Sequence, residues 1–172
     1  MYQIDIADRQ DCLTIDVERL RNVAQSVLRS ESVAEAQVSI ALVDGTAMRQ
    51  LNRQYLNHDY DTDVLSFDLS DELELPDTGN AGEAEQRCLE GEIIISSEMA
   101  ARVAAGFDWN PQDEVVLYLV HGLLHLVGYD DSTIEQTRVM RDRERELLKG
   151  WDLTPRYSDP EPTVGEQAGG ST

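Results

Sequence analysis

The stretch that most constrains this chain is residues 111–127, which read as a helix with almost no polar face. Val115, Val116, Leu117, Leu119, Val120, Leu123, Leu124, Leu126 and Val127 surround it, and a helix apolar on all sides has to lie inside a core. Asn110 and Pro111 form a start signal, Asn as the cap and Pro at the first helical position, while Gly128 supplies the left-handed residue that ends it. The segment is too short to span a bilayer and is interrupted by two histidines and a glycine. The rest of the fold must therefore be built around it.

The remaining elements follow from periodicity. Tyr2, Ile4 and Ile6 alternate as in a half-buried strand, and Leu13, Val17, Leu20, Val23, Val27 and Leu28 follow with helical spacing. A second strand over 38–43 and a helix capped by Asp44 come next, then strands at 64–67 and 92–95 and a helix over 97–105. Ser132 and Glu135 have the spacing of a capping box for a last helix ending near Gly150. The expectation is an α+β fold: a single domain over 1–150, with about four strands in a mixed sheet packed with about five helices. Pro155, Pro160, Pro162 and the closing Gly-Gly-Ser-Thr predict a disordered tail over 151–172.

Charge restricts the partners. With 14 basic and 34 acidic residues the formal net charge is −20, which argues against binding that relies on broad attraction to phosphate, whether of nucleic acid or of an anionic membrane. The charge is uneven: residues 59–92 hold 12 acids and one base, Arg87. An acidic, solvated loop between two strands accounts for most of that excess. Two cysteines, Cys12 and Cys88, are too few for a disulfide framework. Free thiols in a reducing cytosol are the simplest reading, and a single bridge is the other. The acidic amino terminus lacks the features of a signal peptide, so a cytoplasmic protein is expected.

Two of the chain's three histidines, His121 and His125, lie in the apolar helix four residues apart. Their imidazoles therefore project from one side, one turn above the other. The spacing suits two ligands of one metal ion, and it also suits two hydrogen-bonded core histidines. Asp131, six residues after His125, can fold back past the Gly128 turn and complete a three-ligand site with one position open. Asp130 and Asp131 also read as turn residues and as a cap for the next helix. Gly122 lies where a substrate or a neighbouring element could approach closely. It also stands where metallopeptidases of the His-Glu-x-x-His type carry their glutamate, which weakens a peptidase reading. No residue is marked as a general base.

The run His121-Gly-Leu-Leu-His125-Leu-Val-Gly128-Tyr129-Asp130 resembles the His-Gly-x-Leu-His-Leu-x-Gly-Tyr-Asp-His signature of the YbeY-type bacterial endoribonucleases that mature ribosomal RNA. Met48-Arg-Gln-Leu-Asn52 with Tyr55, Thr62-Asp-Val-Leu-Ser-Phe67 and Gly91-Glu-Ile-Ile-Ile-Ser96 extend the likeness over about residues 37–148. The resemblance implies a metal-dependent, single-strand-specific endoribonuclease acting in ribosomal RNA processing, including 3′-end maturation of the small-subunit RNA. It implies one zinc ion on His121, His125 and Asp131, single-stranded rRNA and ribosomal proteins as partners, and neither DNA nor membrane.

Two departures stand out. Asp131 falls where the family has a third histidine, which makes the site one charge less positive and leaves room for a harder ion such as manganese. Leu56 falls where the family has an arginine, and His58 where it has a lysine; Arg53, one turn earlier, is a candidate substitute, although Arg49 and Arg53 also read as a solvated face. His58, beside Asp59 and Asp61, reads as a solvent-facing residue that favours protonation, or else as a phosphate contact or fourth ligand. Arg138, Arg141, Arg143 and Arg145 are interleaved with acids, and Arg138 with Asp142 reads as an i, i+4 pair on a salt-bridged helix face. A metal hydrolase of another substrate, and a non-catalytic ribosome-associated factor with a structural metal, are the competing functions.

Overall fold

The computed structural model describes residues 1–56, 62–70 and 87–157. Its elements run β1 (Tyr2–Arg9), α1 (Val17–Ser30), β2 (Val33–Val43), α2 (Gly45–Leu56), β3 (Val64–Asp68), β4 (Arg87–Ser96), α3 (Ser97–Gly106), α4 (Pro111–Leu126) and α5 (Ile134–Lys149). The strands form one mixed sheet in the order β1-β2-β4-β3. β1 and β4 flank β2 in parallel and β3 closes the edge antiparallel to β4. This is the α+β, four-strand and five-helix arrangement that the periodicity predicts. None of the described helices is long and apolar enough to cross a membrane.

The sheet's two faces carry separate cores, because successive side chains of a strand point to opposite sides. Val38, Ile40, Leu42, Ile93 and Ile95 join α1 and α4 in the main cluster. On the other face Val43, Leu65 and Ile94 pack with Met48 of α2. α4 is the axis of the main cluster: Val115, Val116, Leu119, Leu123 and Leu124 are fully buried. Each such side chain contributes roughly 1.5–3 kcal/mol relative to exposure.

Gly122 explains how closely α4 approaches the sheet. A Cβ there would meet Ile93 Cγ2 at 3.0 Å, Ser66 Oγ at 3.1 Å and Val64 Cγ2 at 3.2 Å. Ser66 also donates a hydrogen bond to the Gly122 carbonyl at 3.1 Å. The glycine therefore serves helix-on-sheet packing, and the neighbouring element that approaches it is the sheet.

Several local expectations are corrected. β2 and β4 begin five residues earlier than their apolar runs, since their polar first halves are held by pairing between Val33 and Arg87 and onward. The cap of α5 is Thr133, in a capping box with Gln136. Ser132 is unavailable for that task because its hydroxyl bonds the Asp130 carboxylate at 2.9 Å. On α5 the ion pairs are Glu135 with Arg138, Asp142 with Arg145 and Arg143 with Glu146, not Arg138 with Asp142. Residues 151–157, expected to begin a tail, pack back on the core through Trp151, Leu153 and Tyr157. Both cysteines are free and exposed. His58, most of the acidic stretch and the tail beyond Tyr157 lie outside the described residues.

Candidate metal centre

The helix end that carries the histidines is built by the glycine turn. The Gly128 amide donates to the His125 carbonyl at 3.1 Å and the Tyr129 amide to the Leu124 carbonyl at 2.9 Å, the paired bonds of a Schellman cap. Gly128 sits at φ +111°, a conformation disfavoured for residues with a side chain. Arg87 donates to the Val127 carbonyl. Asp130 then accepts from the Asp131 amide at 2.8 Å and from Ser132. These bonds hold its carboxyl below the usual carboxylate range, the Asp131 amide contributing most. Asp130 is thus the turn residue, and Asp131 is directed back toward α4.

The turn brings three donors together. His121 Nε2 and His125 Nε2 are 3.0 Å apart. Asp131 offers Oδ2 at 3.5 Å from the first and Oδ1 at 3.6 Å from the second. Donors held about 2.0–2.1 Å from a tetrahedral zinc ion are separated by about 3.3 Å, and the contacts of 3.0–3.6 Å among the two ring nitrogens and the two Asp131 oxygens bracket that spacing. His121, His125 and Asp131 form a group able to hold a metal ion. The imidazoles are only about a quarter exposed, at 24% and 26% of their side-chain surface, while Asp131 is 42% exposed.

One partner sets the tautomer. Glu144 of α5 is 2% exposed, and its Oε1 accepts from His121 Nδ1 at 2.6 Å. Its other oxygen accepts from the Tyr157 hydroxyl at 2.5 Å. With the proton held on Nδ1, the Nε2 lone pair points toward His125 and Asp131. A carboxylate behind a histidine is the usual means of fixing a ligand's orientation and raising its basicity. Burial works against a charged imidazole at His121, but the bond to Glu144 and the charges of Glu144, Asp63 and Asp131 outweigh it and raise its affinity for a proton. The same surroundings favour a cation at Nε2.

The interleaved arginines and acids suggested that Glu144 belonged to a solvated face. The signal against this was present, since Met140, Glu144 and Leu148 are spaced four apart and all three are buried. Tyr157 was missed for the same reason as the rest of residues 151–157. The position of Leu56, at the end of α2, is 44% exposed. α2 reaches the site's surroundings through Asn52, whose amide donates to Thr62 at 2.9 Å, next to Asp63.

A four-stranded α+β domain whose buried helix presents two histidines to a carboxylate, with a second carboxylate fixing one ring, has the donor inventory of a metal-dependent hydrolase. The family model described as Endoribonuclease YbeY matches residues 5–152, and the chain belongs to that family. Among curated relatives, the Endoribonuclease YbeY of Salinibacter ruber is 42% identical over 134 residues, 78% of this chain and 82% of that protein. That of Syntrophotalea carbinolica is 39% identical over 151 residues, covering 86% and 95%. The solution structure of a Thermotoga maritima protein has the same fold, with a TM-score of 0.56 and 24% identity over 94% of this chain and 99% of that one.

Proposed function

We propose that this chain is a metal-dependent, single-strand-specific endoribonuclease of ribosomal RNA processing, including 3′-end maturation of the small-subunit RNA. In this reading His121, His125 and Asp131 hold one zinc ion. The observation that carries it is the convergence of the two ring nitrogens and the Asp131 carboxylate, which meets them through both its oxygens at contacts of 3.0–3.6 Å, in a chain of an endoribonuclease family. The aspartate also suits manganese. When bound, such an ion supplies Lewis acidity toward a phosphoryl oxygen and toward water. Glu144 keeps the His121 proton on Nδ1, and burial of both rings limits the water around the donors. Arg141, which lines the same cavity as His121 and Asp131, supplies a cation for the phosphodiester.

The net charge of −20 makes broad attraction to RNA weak, so engagement depends on the metal, on a few arginines and on ribosomal proteins that present the single-stranded rRNA. Two exposed free thiols suit a reducing cytoplasm. The catalytic unit takes in residues 151–157, since Trp151, Leu153 and Tyr157 pack on the core. No DNA or membrane partner is assigned.

The test is metal quantification after native purification, with cleavage of ribosomal RNA assayed beside His121→Ala, His125→Ala and Asp131→Ala. The expected result is about one ion per chain in the wild type, loss of the ion in the variants, and parallel loss of cleavage. Protein that binds no metal on add-back would end the site assignment. A wild type that binds metal yet cuts no faster than its variants would end the nuclease assignment.

A further inference from the structure

Past the end of α5 the chain turns back on itself. The Trp151 and Leu153 amides donate to the Leu148 carbonyl at 2.9 and 3.1 Å, and Asp152 takes a left-handed conformation at φ +58°, which aspartate tolerates better than most residues. Trp151 and Leu153 then pack on the main core, Pro155 is buried, and Arg156 donates to the Phe107 carbonyl just past α3 at 3.2 Å. These contacts fix Tyr157 over the middle of α5, against a glutamate 13 residues upstream. Tyr157 lies beyond the stretch that the family model matches.

Tyr157 makes two kinds of contact there. Its hydroxyl donates at 2.5 Å to Glu144 Oε2, and the other oxygen of that buried carboxylate accepts from His121 Nδ1 at 2.6 Å. Burial and then the charge of Glu144 push the phenol above its ordinary range, so the hydroxyl stays protonated and keeps donating. With a bond to each oxygen, the carboxylate cannot rotate without losing one. The direction of the His121 ring is therefore set from both ends of Glu144. The second contact is the ring face. The guanidinium carbons of Arg141 and Arg145 lie 4.7 and 5.0 Å from the Tyr157 ring centroid, within reach of cation–π attraction. Arg145 is also tied to Asp142 at 3.0 Å, whereas among the described residues Arg141 enters no ion pair. Arg141, Tyr157, His121 and Asp131 line one cavity of about 540 Å³, so the guanidinium that the ring holds faces the same space as the metal ligands.

We propose that Tyr157 is a positioning residue with two separable parts: its hydroxyl orients His121 through Glu144 for the metal, and its ring holds Arg141 for the phosphodiester. The first part rests on the metal site and the second on the nuclease reading. Full-length wild type, Tyr157→Phe and Tyr157→Leu are stripped of metal and titrated with zinc against a chromophoric chelator, then assayed for rRNA cleavage at saturating zinc. The phenylalanine variant loses only the hydroxyl. Its zinc affinity is expected to fall about three- to tenfold, at or below the low end of what loss of a ligand's direct partner costs, with KM within about twofold of wild type. The leucine variant loses the ring as well, so its KM rises about threefold or more on top of the same loss of zinc affinity. A residue that only packs would lower Tm in both variants and move neither quantity. Tyr157→Met takes the place of the leucine variant should that chain fail to fold. Zinc affinity within about twofold of wild type in Tyr157→Phe, or a KM that rises no more in Tyr157→Leu than in Tyr157→Phe, would overturn the proposal. A wild type that binds zinc but cuts no RNA ends the nuclease reading and the ring's part with it, while Tyr157→Phe still decides the part of the hydroxyl.

Discussion

Removing the Glu144 carboxylate separates a role in orienting His121 from a role in packing. In Glu144→Ala the His121 Nδ1–H and the Tyr157 hydroxyl lose acceptors at 2.6 Å and 2.5 Å, in a place where the glutamate is only 2% exposed. Two buried donors left unsatisfied cost roughly 1–3 kcal/mol each, and part is recovered as water enters, so the net loss is about 3 kcal/mol. For a chain of this size that lowers Tm by about 6–12 °C. The His121 ring also loses what fixes its tautomer, which lowers metal affinity by about 10- to 100-fold. Glu144→Gln keeps an oxygen to accept from His121 and an amide to donate to the Tyr157 oxygen. Its Tm therefore falls by only about 2–4 °C, while zinc affinity still drops by about tenfold because the acceptor is neutral. Thermal melts give the first quantity and competition with a chromophoric chelator the second. A Glu144→Ala variant that melts early yet binds zinc within about twofold of the wild type would make Glu144 a packing residue only and refute its orienting role.

Other perturbations probe neighbouring steps. Glu114 has its pKa raised to about 7, first by burial and then by the charges of Asp63 and Glu144, with the Tyr118 hydroxyl opposing. Because the folded value exceeds the unfolded one, its favourable contribution is complete below the ordinary range near 4.5 and declines as pH rises through about 7. Glu114→Gln should accordingly gain Tm over the wild type between pH 5 and pH 8, and a constant offset across that interval would refute the assignment. Gly122→Val sets a branched side chain against Ile93 and Val64, where even a Cβ meets atoms at 3.0 and 3.2 Å. Overpacking should cost about 1–3 kcal/mol, read as a lowered denaturant midpoint, together with weaker metal binding as α4 lifts from the sheet. Asp131→His exchanges a hard donor for a softer one, so zinc binding should persist while manganese affinity falls relative to zinc. Competition titrations with the two ions check this, and an unchanged ratio would place Asp131 outside the coordination sphere.

How much of the fold could be read from the residues depended on whether the determinant was local. α4 was legible because its cap, its first proline, its apolar surface and its terminal glycine all lie within 19 consecutive residues, Asn110 to Gly128. The polar first half of β4 was not, since Arg87, Cys88 and Glu90 are strand only through pairing with β2. The capping box slipped by one residue because Ser132-x-x-Glu135 and Thr133-x-x-Gln136 offer the same chemistry. The choice between them was made by Asp130, which takes the Ser132 hydroxyl for its own turn. The pairs on α5 all span three residues: in Glu135–Arg138 and Asp142–Arg145 the acid precedes the base, the order that agrees with the helix dipole, while Arg143–Glu146 runs the other way.

The site divides along the same line. His121, His125 and Asp131 were legible because an α-helical turn and a glycine cap fix their relation within 11 residues of sequence. Glu144 and Tyr157 were not, because what removes them from solvent is contact with α4, 23 residues upstream of Glu144. A carboxylate on the buried stripe of α5 is costly unless it is paired, and in this molecule its two oxygens go to a histidine and a tyrosine. The total charge misleads in the same way. The strongly acidic segment 71–86 lies outside the described residues, whereas Arg141 and Arg156 line the cavity beside His121 together with Asp63, Glu114, Asp131 and Glu144.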